Sequence, residues 1–214
     1  MAAPAGLPAS RPSRAVVEPV SPVVDGGRFA AKATVDEPVT VIADVFADGH
    51  DRAAAALRFR PAGGKWREVP MIARGNDRYE ATFTPTELGT WEYRVVGWLD
   101  HFGSWRHGME RRLDAGVDVT VDLQIGGALV AAARAKATGE DAAALDALAA
   151  RLASGDVTGL VHEPSPDWRP PPPDQLDELF WRTAPRKPTA SSPAYRVEVD
   201  PVRARASAWY EFFP

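Results

Sequence analysis

The chain has 214 residues, enough for one large domain or two small ones. Its 25 basic and 29 acidic residues leave a formal charge of −4, which excludes a general electrostatic attraction to nucleic acid or anionic membrane. With no cysteine there is no disulfide framework, thiolate metal site or Cys nucleophile, which fits a reducing, cytoplasmic compartment.

Residues 1–13 are rich in Ala, Pro, Ser, Gly and Arg and contain no apolar core of secretory length, so a disordered N-terminus is expected. No stretch approaches the roughly 20 apolar residues of a membrane span. Residues 14–123 read as an antiparallel β-sandwich of immunoglobulin or fibronectin III style. Val39, Val41, Ala43 and Val45 share one face of a period-two run, and Leu57 and Phe59 alternate with Arg58 and Arg60. Tyr79, Ala81 and Phe83, then Trp91, Tyr93 and Val95, then Val117, Val119 and Val121 repeat the pattern. Such alternation buries one face and wets the other. Asp48-Gly49, Gly63-Gly64, Asn76-Asp77 and Leu88-Gly89 punctuate the runs, and Pro61–Lys65 is expected to close a hairpin.

Beyond Leu123 the period changes. Residues 124–193 read as a helical insertion with proline-rich segments, with helices near 123–136 and 139–154. Leu145, Leu148 and Leu152 form a stripe suited to a small helical bundle. Thr138 and Asp141 have the spacing of a capping pair. Pro164–Pro173 is expected to be extended, and a short helix begins near Pro173 with Leu176, Leu179 and Phe180 on one side. Residues 194–214 read as a returning strand, carried by Tyr195, Val197 and Val199, followed by a linker. The closing aromatics Trp209, Tyr210, Phe212 and Phe213 suggest a chain that continues beyond them.

Candidate chemistry is sparse. Glu87 and Glu92 flank Trp91, but alternation puts Glu92 on the wet face and Glu87 in a turn. His101, His107, Asp100 and Glu110 lack metal-ligand spacing, and Gly63-Gly64-Lys65 lies in a hairpin rather than between a strand and a helix. No cofactor or metal is expected. The block from Trp98 to Arg112 is more informative. Trp98 falls opposite Trp91 and Tyr93, and Trp105-Arg106-His107 reads as a loop. These residues suit a domain or subunit interface, plain packing, or stacking on a glycan.

Several blocks carry a resemblance: Ser21–Phe29, Val45–Asp51, Gly75–Tyr79, Phe83–Gly89, Trp91-Glu92-Tyr93 with Trp105–Gly108, and Arg205–Pro214. In this order they resemble the N-terminal region of the bacterial α-1,4-glucan:maltose-1-phosphate maltosyltransferases, retaining enzymes of glycoside hydrolase family 13. The resemblance implies a β-sandwich domain with a helical insertion, taking part in homodimer formation. It also implies a parent enzyme that passes maltosyl from maltose-1-phosphate to the non-reducing end of an α-glucan. In such an enzyme an Asp nucleophile and a Glu acid/base act through a covalent intermediate. Both belong to a (β/α)₈ barrel missing here, so no catalytic residue is assigned, and Trp209, Tyr210, Phe212 and Phe213 are expected to meet that barrel. The alternative is a free-standing glucan-binding module using Trp98 and Trp105; a generic interaction domain is the third reading.

Overall fold

The computed structural model describes residues 12–162 and 173–206. Trp209, Tyr210, Phe212 and Phe213 lie outside the described residues, as do most of the N-terminal stretch and most of Pro164–Pro173. The chain divides into two compact units. One comprises residues 15–46, 54–97 and 190–214, the other residues 1–14, 47–53 and 98–189.

The first unit is a β-sandwich. One sheet holds β1 (Ala15–Ser21), β3 (Val39–Ala47), β7 (Arg78–Phe83) and β6 (Ile72–Gly75), in that spatial order. The other holds β2 (Ala31–Thr34), β10 (Tyr195–Asp200), β8 (Gly89–Leu99), β4 (Ala53–Pro61) and β5 (Arg67–Pro70), with β9 (Thr189–Ser191) also paired to β8. Alternation sets the register, since a slip of one residue would expose the whole apolar face. Val41, Ala43 and Val45 on β3 are buried, as are Trp91, Tyr93 and Val95 on β8 and Val197 and Val199 on β10. Phe83 bridges the sheets, its ring centroid 4.9 Å from Phe59 and 6.0 Å from Trp91.

The expected hairpin forms: β4 and β5 pair antiparallel, and Gly63 turns with φ +75° between them. Asn76 and Asp77, both at positive φ, close the turn between β6 and β7. The β2–β10 pairing departs from a purely antiparallel sandwich. β2 runs parallel to β10, Ala31 opposite Val197 and Thr34 opposite Asp200. Strands this far apart in sequence are free of hairpin geometry, and a parallel pair needs only a long connection.

The second unit is helical: α1 (His101–Asp114), α2 (Thr120–Arg134), α3 (Gly139–Ser154) and α4 (Gln175–Thr183). Leu145, Leu148 and Leu152 on α3 pack in one cluster with Met109, Val130, Leu160, Leu179 and Phe180, as the stripe predicts. Phe102 and Phe180 stack with centroids 3.5 Å apart. Among the described residues no helix is long and apolar enough to cross a membrane.

Three local expectations are corrected. Trp105-Arg106-His107 is not a loop but the middle of α1, whose Phe102, Trp105, Arg106 and Met109 are buried at helical spacing. Arginine inside that stripe hides the period from a reading that counts only apolar residues. Val117–Val121 is not a strand. Asp118 accepts bonds from the Thr120 amide and hydroxyl, α2 begins there, and Val119, Leu123 and Val130 turn to the helical core at i, i+4 and i+11. Helix therefore begins at His101, well ahead of residue 124. Thr138 stands at the N-cap of α3 but its hydroxyl makes no capping bond, and Asp141 pairs with Arg182 at 2.8 Å instead.

Candidate functional site

The densest polar constellation among the described residues lies in the helical unit and centres on Arg106, only 2 % exposed. A guanidinium that deep needs every N–H satisfied, because an unpaired buried charge is strongly destabilising. Its Nε donates to the Leu160 carbonyl at 2.8 Å. Nη1 donates to Asp174 Oδ1 at 2.9 Å and Asp177 Oδ1 at 3.0 Å, and Nη2 donates to Asp174 Oδ2.

The acids sit there because of how α4 starts. Asp174 is its N-cap, accepting from the amides of Leu176 (2.9 Å) and Asp177 (3.1 Å), while Asp177 Oδ2 accepts from the Asp174 amide at 3.1 Å. This reciprocal capping box orients both carboxylates at the positive end of the helix. His162 Nε2 lies 3.0 Å from Asp177 Oδ2. Burial pushes the Asp174 carboxyl up, but the Arg106 hydrogen bonds, the Asp177 amide and the Arg106 charge outweigh it and hold the pKa at about 2.

His162, Asp174 and Asp177 bring ligand atoms within 4.8 Å of one another, a spacing compatible with a metal ion. Their chemistry opposes it. All four carboxylate oxygens already accept N–H bonds, and the guanidinium occupies the position where a cation would be attracted. The arrangement also fails as an acid/base pair. Glycoside hydrolysis needs one carboxyl that holds a proton near neutrality, and an Arg-paired carboxylate is held ionised. What the cluster does is tie α1, the Leu160 turn and the start of α4 together.

The residues singled out from sequence are placed as follows. Trp98 is 6 % exposed, its ring 5.5 Å from that of Trp181 with the Arg186 guanidinium over it at 4.7 Å. Trp105 is 8 % exposed and its indole N–H donates to the Asp122 carbonyl at 2.7 Å. Arg112 in turn binds the Asp122 carboxylate at 2.7 Å. His107 is exposed on α1, its Nδ1 3.3 Å from Glu110 Oε2. Trp105, Arg106 and Trp98 thus face into their own unit, and only His107 is open. In the sandwich Glu92 pairs with Arg60 at 2.7 Å, and Glu87 contributes its carbonyl to the Trp91 indole at 3.0 Å. Sequence reasoning missed His162, Asp174 and Asp177. The D-x-x-D spacing at Asp174 was readable as a capping box, but its pairing with an arginine 68 positions earlier was not.

Residues 13–201 match the profile of the α-1,4-glucan:maltose-1-phosphate maltosyltransferase domain N/S. The chain belongs to this family. It is 38 % identical over 207 residues to the maltosyltransferase of Chlorobaculum tepidum, covering 94 % of this chain and 29 % of that protein. It is 40 % identical over 216 residues to the Myxococcus xanthus maltosyltransferase, covering 92 % of this chain and 30 % of that one. The chain therefore spans under a third of the length of these maltosyltransferases. The matched segment takes in the described sandwich strands and the four described α-helices, so the Arg106 cluster lies within the family's N/S region.

Proposed function

We propose that the chain is the N-terminal assembly and support region of a cytoplasmic maltosyltransferase, not itself catalytic, with an immunoglobulin-like sandwich as its frame. The parent reaction is transfer of maltosyl from maltose-1-phosphate to the non-reducing end of an α-1,4-glucan, and the remainder of the enzyme's own chain is the partner. The observation that carries this reading is the match of nearly the whole chain to under a third of its relatives. The chemistry supports it: the carboxylates that lie together here are neutralised by Arg106 and serve a helix cap.

Homodimer formation by the parent belongs to the same reading. Val117, Val121 and Ile125 stand exposed around the start of α2, a stripe suited to a second copy. A free-standing glucan-binding module would need open aromatic faces at Trp98 and Trp105, and both rings are covered.

The purified chain, incubated with maltose-1-phosphate and glycogen, is expected to release no phosphate. Turnover by this chain alone would place catalytic groups within it and end the reading.

A further inference from the structure

Alternation leaves the outer face of the sheet containing β8 to charged residues, and arginine outnumbers acid where β8, β4 and β5 meet. Arg58 and Arg60 belong to β4, Arg94 to β8, and Trp66 immediately precedes β5. Arg60 Nε donates to Glu92 at 2.7 Å, and the Ala62 amide donates to the Thr90 carbonyl at 2.9 Å. These contacts descend on β4 as they climb on β8, so the two strands run antiparallel. One step further along, Arg58 stands opposite Arg94. On the other side of β4, Arg58 Nε donates to Glu68 at 2.6 Å. Arg58 and Arg60 are thus each held by one glutamate. Arg94 is held differently: its guanidinium lies 4.5 Å over the Trp66 ring, which also carries the Arg60 guanidinium at 4.2 Å.

Three guanidiniums therefore share two carboxylates, and the donors are more uneven than the charge. Among the described residues Arg94 makes no hydrogen bond or ion pair. Its Nε is buried without an acceptor, and its two Nη groups, which are not buried, have none either. Arg58 reaches Glu68 through Nε alone, and Arg60 places Nη1 on the Gly64 carbonyl at 3.2 Å. Both Nη groups of Arg58 are thus also without an acceptor among the described residues. Stacking on an indole holds a guanidinium in place without neutralising it, so Arg94 keeps its charge and its fork for an acceptor that comes from outside. One fork saturates a carboxylate, whereas the terminal oxygens of a phosphate group accept from two adjacent guanidiniums at once. The chain as a whole carries −4, so this face is a local exception and not part of a basic surface.

We propose that Arg58 and Arg94 form a phosphate-binding site on the outer face of the sandwich, with Trp66 holding the Arg94 fork in place. The phosphate group is read from the donors. Its two sources, maltose-1-phosphate and inorganic phosphate, rest on the reading of the parent reaction, which consumes one and releases the other. The purified chain is titrated by calorimetry with inorganic phosphate, maltose-1-phosphate and maltose at fixed ionic strength, and phosphate release is followed in parallel. Both phosphate compounds are expected to bind and maltose is not, and the tighter of the two names the source. Arg58→Gln and Arg94→Gln each remove a fork and are expected to weaken binding about tenfold, with Arg94→Lys in between. Trp66→Leu is expected to weaken it too, while Trp66→Phe, which keeps a ring against the guanidinium, retains it. Arg111→Gln removes an exposed charge from α1 in the helical unit and is expected to change nothing. No heat from either phosphate compound, equal binding by a folded Arg94→Gln, or an equal loss in Arg111→Gln overturns the site. Phosphate release from maltose-1-phosphate by this chain would instead end the reading of the parent, and the titration judges the site separately.

Discussion

Replacing Arg106 with alanine removes the donors to the Leu160 carbonyl and to both Asp174 and Asp177. Hydrogen bonds to charged groups contribute about 1.5–3 kcal/mol each, and breaking a buried ion pair costs roughly 3–5 kcal/mol. The two carboxylates keep a quarter to two-fifths of their surface in water and regain solvation once unpaired, which lowers the loss. The buried Leu160 carbonyl does not regain it. The balance is a destabilisation of about 3 kcal/mol, or a fall in Tm of about 15 °C for a unit of this size. Urea unfolding at 222 nm reads this directly, because the four α-helices among the described residues belong to the helical unit. Arg106→Lys, which keeps the charge but loses the planar fork, is expected to fall between.

The same variant has a pH signature. Asp174 titrates at about 2 in the folded chain, below its unfolded value, so its contribution is complete above about pH 4 and fades as pH drops toward 2. Without Arg106 that downward pull is gone, and the gap between wild type and Arg106→Ala narrows over that window. A stability change under about 0.5 kcal/mol, or a gap that stays constant from pH 5 to 2, would refute the account of the cluster.

Adjacent glycines on α2 make a paired test. A Cβ at Gly126 would run into the Trp105 ring, whereas one at Gly127 meets nothing within 4 Å. Gly126→Ala is expected to destabilise by about 2 kcal/mol and Gly127→Ala to stabilise by up to about 1 kcal/mol, an order that thermal melts resolve. Asp100 caps α1 by accepting the Gly103 amide at 2.8 Å, and burial raises its pKa against the opposing pull of that amide, Arg52 and His101. A raised carboxyl pKa costs stability as pH climbs from the unfolded value through the folded one. Asp100→Asn keeps the cap without the charge, so it is expected to be the more stable form at pH 7, its advantage shrinking in melts taken at progressively lower pH.

The sandwich was legible because its signal is local. Val41, Ala43 and Val45, or Trp91, Tyr93 and Val95, announce a buried face within five residues, and turn chemistry at Gly63 and Asn76-Asp77 sets the hairpins. The α3 stripe was legible for the same reason at a different period. α1 was not, because one of its core-facing positions is Arg106, whose burial is possible only once Asp174 and Asp177 arrive. Val117–Val121 misled because three alternating valines imitate a strand, and the deciding interaction is a side-chain turn at Asp118 with Leu123 and Val130 further along. The parallel placement of β2 beside β10 had no local cue, since it pairs segments separated by the helices.

Trp105-Arg106-His107-Gly108 is the block of the family resemblance that looked most like a ligand or interface site, and its geometry gives Trp105 and Arg106 tasks within the helical unit. The Trp105 indole fixes the start of α2 through the Asp122 carbonyl, and its ring lies against Gly126. Arg106 collects a carbonyl from the turn after α3 and the capping acids of α4. A helical insertion of this size has a modest apolar core, so a buried fork that binds three chain segments at once adds geometric specificity that side-chain volume alone would not. A tryptophan and an arginine in this family's N/S domain invite a reading as sugar contacts. When both are buried and each of their side-chain nitrogens donates within the chain itself, their role is to fix the shape of the insertion.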